Sequence, residues 1–214
     1  MWGDSPQREK RKNPILKGDT MELVSILRVV HIITAILMAW PFYALVAVNQ
    51  RARLGPPLGD RADVYMENVV KSRVVPCYVF QATALVSGLW LIFAAGLGLG
   101  ALVTDWVLGL KFIFLVVVAA LLSVVNFNLQ PRIDALFAKA RGGKIEEANA
   151  AQIRALRTTR KKLSSFCMFF VLVEALLGVQ AFAAFPLWLT GAFVIAIAAF
   201  MWRAYNSLMS YGWM

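Results

Sequence analysis

The feature that most restricts this chain is a series of five apolar runs, at about 22–48, 75–95, 104–129, 163–184 and 186–202. Each spans or nearly spans a hydrocarbon core of about 30 Å at 1.5 Å per helical residue. A backbone surrounded by lipid must satisfy its own hydrogen bonds, and a single segment does so as a helix. The expected fold class is all-α: a polytopic membrane helical bundle of about five transmembrane helices. Composition agrees, with 60% of residues hydrophobic and 16% charged, where an ordinary soluble domain runs nearer a quarter charged.

The segments between the runs carry their own signals. Residues 1–20, with Pro6, Pro14 and Gly18, read as a flexible basic tail. Pro41 lies inside the first run and predicts a kink. Pro76 falls in the first turn of the second, where a missing N–H costs little. The Gly96–Gly100 stretch reads as a turn, and the third run is expected to stop at Pro131. The connection 131–162 reads as helical on both sides of Gly142-Gly143. Its Arg154, Arg157, Arg160 and Lys161 recur along one face, as in a solvated helix drawn to anionic lipid. Residues 206–214, with Tyr211 and Trp213, are expected to lie along the interface.

A net charge of +10 raises nucleic acid as a partner, but the basic residues stand at the ends of apolar runs. Cationic residues retained in the cytoplasm are placed that way, so nucleic acid is excluded and the bilayer is the expected partner. Fifteen Lys and Arg fall on the side holding 51–73, 132–162 and Arg203. That side is expected to be cytoplasmic in a bacterial inner membrane, with the N-terminus outside and the C-terminus inside. Cys77 and Cys167 have no metal-type spacing and read as small buried apolar residues.

Four ionisable residues lie within the runs: Arg28 and His31 in the first, Lys111 in the third and Glu174 in the fourth. Each costs about 2.5–3.5 kcal/mol on insertion scales, so each needs a partner or a purpose. Counted from the outer ends of their runs, Arg28 and Lys111 lie about 9 Å deep, His31 about 14 Å and Glu174 about 15 Å. All four therefore belong to one outer-half layer. One reading is an ion pair of Glu174 with Lys111 or Arg28 that fixes helix register. The other is a site in which His31 is a metal ligand or proton carrier. There Arg28 and Lys111 neutralise a ligand carboxylate, and Glu174 shuttles protons. His31 is the single histidine. A haem held by two histidines of this chain, or a histidine-rich copper or iron centre, is thereby excluded.

The order of elements resembles the HemJ-type protoporphyrinogen oxidases and their CopD-like membrane relatives. The resemblance rests on Leu27-Arg28-Val29-Val30-His31, on Lys71-Ser72-Arg73 before a Pro-bearing second span, and on Trp106-Val107-Leu108-Gly109-Leu110-Lys111. It continues through the basic connection to Leu187-Trp188-Leu189. It implies a five-span bundle, haem b at His31 and a role for Lys111 in activity; the depth reading adds Arg28 and Lys111 to the cofactor site and Glu174 to the catalytic groups. Where that family carries further third-span histidines, this chain has Leu108, Gly109 and Val125 to Phe127. Two function classes follow: a redox membrane protein acting on porphyrinogen or passing electrons, and a non-catalytic accessory subunit of a larger membrane complex or homo-oligomer.

Overall fold

A computed structural model describes residues 14–40, 61–139, 145–182 and 185–206. Pro41 and the rest of the first run, the Gly142-Gly143 pair and the 207–214 tail lie outside the described residues.

Helix α1 covers Pro14–Leu37. Pro14 opens this helix rather than breaking it, as a residue with no N–H to lose can do in a first turn. Helix α2, Arg61–Lys71, is short and polar, and α3, Val74–Ala94, follows it almost without interruption. The end of α3 is set by Gly96, whose φ of 73° is open to a residue without a Cβ. Gly96 N–H donates to the Phe93 carbonyl and Leu97 N–H to that of Ile92, which closes the orphan carbonyls in a Schellman arrangement.

One turn, α4 (Ala101–Thr104), leads to α5, Trp106–Val124. Asp105 caps α5, its Oδ1 accepting from Val107 N–H at 2.8 Å and Leu108 N–H at 3.2 Å. Gly109 is required here, since a Cβ would stand 2.7 Å from the Leu102 carbonyl oxygen.

Pro131 does not end the third helix. A π-helical segment, Val125–Leu129, runs straight into α6, Gln130–Phe137. In a regular helix the proline ring would collide with the carbonyl four residues back and leave it without a donor. One wider turn just before Pro131 absorbs both defects. Helix α7 then runs unbroken from Glu147 to Phe182, so the basic connection and the fourth apolar run are one helix. Helix α8 is Leu187–Asn206.

The bundle forms by α1 packing on α3, α5 on α7 and α8 on α7. Its core is Met38, Ala84, Val118 and Val171, flanked by Phe80, Leu115 and Phe170. Phe114 meets Phe170 with ring centroids 5.0 Å apart. Many apolar residues outside this core face outward, Ile195 at 71% and Phe127 at 72% exposure among them. Water would not tolerate such a surface and lipid does. Among the described residues, four helical stretches are long and apolar enough to cross a membrane: Arg61–Ala94, Trp106–Phe137, Glu147–Gln180 and Leu187–Asn206. The fold is thus an all-α polytopic membrane bundle embedded in a bilayer. It has a turn end, holding Gly96–Asp105, and a basic end, holding α2, α6 and the start of α7.

Candidate functional site

Ser87, Lys111 and Glu174 stand seven, five and eight residues from the turn-end limits of α3, α5 and α7. At 1.5 Å per residue, all three lie about 8–12 Å below that end.

His31 of α1 meets α3 at this level. Its Nδ1 is 2.9 Å from Ser87 Oγ. The Ser87 hydroxyl has one proton, and its oxygen lies 2.6 Å from the Thr83 carbonyl, to which it donates. Ser87 Oγ therefore accepts from His31 Nδ1–H, and this tautomer leaves Nε2 as the ring nitrogen with a lone pair. Gly88 makes the approach possible, because a Cβ there would lie 3.1 Å from His31 Cε1.

Lys111 reaches toward α7, where Gly178 offers it space: a Cβ on Gly178 would be 3.5 Å from Lys111 Nζ. The Lys111 charge acts on both Glu174 and His31, so the three groups share one electrostatic neighbourhood. No ion pair within 4 Å joins Glu174 to a cation among the described residues, and its Oε1 is buried with no hydrogen-bond partner. A buried carboxylate oxygen without a donor is costly, and it is where a ligand proton or a protonated ligand would be held. Arg28 lies one turn from His31 on α1, on its exposed side. Three helices thus bring His31, Lys111 and Glu174 together at one depth, with Arg28 at the margin. The described residues hold no group of three or more His, Cys, Asp or Glu able to grip a metal, so any metal at His31 would have a single side chain of that kind.

A second ionic cluster, at the basic end, was not expected from the sequence. Arg157 and Arg160 do not face solvent or lipid. Arg160 Nη1 donates to Glu67 Oε2 and Gln130 Oε1, both at 2.7 Å, and its Nη2 donates to Glu67 Oε1 at 3.1 Å. Arg157 Nε donates to Glu67 Oε1 at 2.7 Å and its Nη1 to Asp63 Oδ1 at 3.3 Å. Arg160 and Glu67 are 2% and 3% exposed. Burial pushes the Glu67 carboxyl up; the hydrogen bond and charge of Arg160, the charge of Arg157 and the Gln130 hydrogen bond outweigh it and bring it down to about 2. Of the basic face, Arg154 is exposed as expected, paired with Glu147. The available signal was Asp63 and Glu67, four apart on a polar helix, a spacing that matches two arginines three apart on another.

These features are those of a membrane-embedded bundle with two ionic layers. Neither a curated protein nor a solved structure matches the chain. A family model does match, over residues 25–180, from within α1 through most of α7. It carries the membrane assignment and does not extend to the HemJ- and CopD-like resemblance. The chain belongs to the family described as predicted integral membrane protein (DUF2269).

Proposed function

We propose that the layer near the turn end is a site for redox chemistry on a porphyrin-like ligand, with His31, Lys111 and Glu174 as its working groups. One observation carries this reading: ionisable side chains from three helices gather around a buried carboxylate oxygen that has no donor.

The residues fit one side of a haem b site. A histidine that ligates iron through one nitrogen commonly donates a hydrogen bond through the other, and Ser87 fixes His31 in that tautomer. Arg28 and Lys111 would face the ligand's carboxylates. His31 is the chain's single histidine, so any further protein ligand to the group would come from a Met, a Lys or another subunit. Bound haem supplies one-electron redox chemistry at its iron. The chain's own part is holding the ligand and handling protons: Nε2 of His31 would hold the iron, Glu174 exchanges a proton through its unpartnered oxygen, and Lys111 holds the carboxylate charge of the ligand. The same reading sets the basic end in the cytoplasm of a bacterial inner membrane, supported by the excess of Lys and Arg there.

The test is an ultraviolet–visible spectrum of protein purified gently from its native membrane, oxidised and then reduced. A Soret band that shifts on reduction and disappears in His31→Ala is the expected result. A haem-replete preparation without a band in either state would remove the haem. A flat spectrum with companion polypeptides in stoichiometric amount would make the chain an accessory subunit instead.

A further inference from the structure

At the basic end, away from His31, a cavity of about 70 Å³ lies between α1, α3, α5 and α7. Most of its wall is apolar, from Met38, Val74, Val118 and Leu122. Two arginines also line it, Arg73 and Arg160, and in each the Nε atom is buried with no hydrogen-bond partner. Arg160 is 2% exposed, so its Nε is not served by solvent at the surface of the protein. Unpartnered guanidinium donors at a cavity are expected to hold an acceptor.

The charge balance identifies what kind. Arg157 and Arg160 are matched by Asp63 and Glu67, and Lys71 by Asp134. Arg73 pairs with no carboxylate among the described residues; its guanidinium lies 4.8 Å from the centroid of the Trp40 ring. One net cation therefore borders the cavity. At roughly 10–15 Å³ per water, the space holds a few waters or one small anionic head. A free hydrophilic ion would face the apolar wall at a loss, whereas an amphiphile uses both surfaces.

We propose that this cavity binds the anionic head of an acidic amphiphile, a phosphate or carboxylate with an attached apolar chain. Arg73 Nε and Arg160 Nε are the donors, and the apolar wall receives the first part of the chain. Basic recesses between transmembrane helices bind acidic lipid heads in this manner. The π-helical segment contributes Val125 to the wall, placing an irregular helical turn beside the ligand.

The chain's two cysteines, Cys77 and Cys167, both line this cavity and serve as reporters. Full-length protein is placed in nanodiscs of phosphatidylcholine alone or with phosphatidylglycerol, and labelling of each thiol by a small maleimide is timed. Phosphatidylglycerol slows labelling of both. Equal rates in the two lipids overturn the proposal, and so do thiols that stay unlabelled in neutral discs, since the cavity then does not open to the membrane. Protection by inorganic phosphate alone overturns the amphiphile in favour of a free ion. Native mass spectrometry then counts the retained phosphatidylglycerol. Arg73→Gln retains about tenfold less, the loss expected for one charge-assisted hydrogen bond. The exposed Arg132→Gln retains as much as the wild type. Equal retention by Arg73→Gln, or equal loss by Arg132→Gln, overturns the proposal.

Discussion

The two ionic layers of this bundle are built in opposite ways. At the basic end, Glu67 accepts from Arg157, Arg160 and Gln130. Near the turn end, Glu174 leaves an oxygen with no donor, and Lys111 acts on it only through its charge. The first network ties α2, α6 and α7 into one unit and saturates the Glu67 carboxylate, its unpartnered atoms being the donors Arg157 Nη2 and Arg160 Nε. An open one spends little on holding helices together and keeps groups free for a ligand or proton. The contrast predicts that the larger share of stability resides in the first layer and proton chemistry in the second.

The largest effect should come from Glu67→Gln. It keeps the shape of the side chain but strands the Arg160 charge inside the protein and leaves Arg157 with Asp63 alone. Breaking a buried pair by removing one member costs about 3–5 kcal/mol. Thermal unfolding in mild detergent should show this loss. A change below about 1 kcal/mol, the scale of an exposed pair, would mean that the network holds nothing and would erase the contrast between the layers.

Acid should act on the same layer. Glu67 titrates at about 2 in the folded protein against an ordinary 4.5. A carboxyl held down in this way stabilises the fold above the ordinary value, and that contribution disappears as pH falls through the folded one. The loss is on the order of 3 kcal/mol between about pH 4.5 and 2. Glu67→Gln should flatten that part of the stability curve. An unchanged acid limb in the variant would assign the acid response elsewhere.

How far the sequence reveals the two layers differs for a physical reason. Spans and their order follow from run length, because lipid leaves the backbone few choices. The shared depth of His31, Lys111 and Glu174 follows from counting residues along helices, since a fixed rise converts sequence position into height. Height does not give azimuth, so Ser87 as the partner of His31, and Gly88 and Gly178 as the gaps that admit side chains, emerge only from packing. The basic end misleads more. Arg157 and Arg160 present the same periodic pattern whether they face lipid heads or a second polar helix. Their partner Glu67 lies some ninety residues away. The π segment before Pro131 has no clear composition signal, and the convergence of Cys77 and Cys167 on one cavity has none.

Ser87→Ala probes the open layer directly. It removes the acceptor of His31 Nδ1–H while Thr83 and Ala84 keep their place in the helix. Interhelical hydrogen bonds in membranes average about 0.6 kcal/mol, so stability should fall by that much. The state of the imidazole should change more than the stability does. Nitrogen-15 shifts of His31 should report a mixture of tautomers where the wild type has one. A loss of several kcal/mol would show the turn-end layer to be as structural as the other.

The smallest effect belongs to Lys71→Ala. Lys71 Nζ lies 2.8 Å from Asp134 Oδ1, well within ion-pair distance, yet both side chains are 39% exposed. Water already solvates and screens such a pair, and exposed pairs contribute about 0.2–1 kcal/mol. Asp134 also accepts from Gln130 Nε2 at 3.1 Å, so losing Lys71 leaves it a donor. The expected loss is therefore at the low end, and it should shrink further in high salt, where the Glu67 network should hardly respond. Unfolding of both variants at low and high ionic strength measures this directly. A salt-insensitive loss in Lys71→Ala as large as that in Glu67→Gln would mean that the network continues outward through Asp134, and that the closed layer reaches the surface of the bundle.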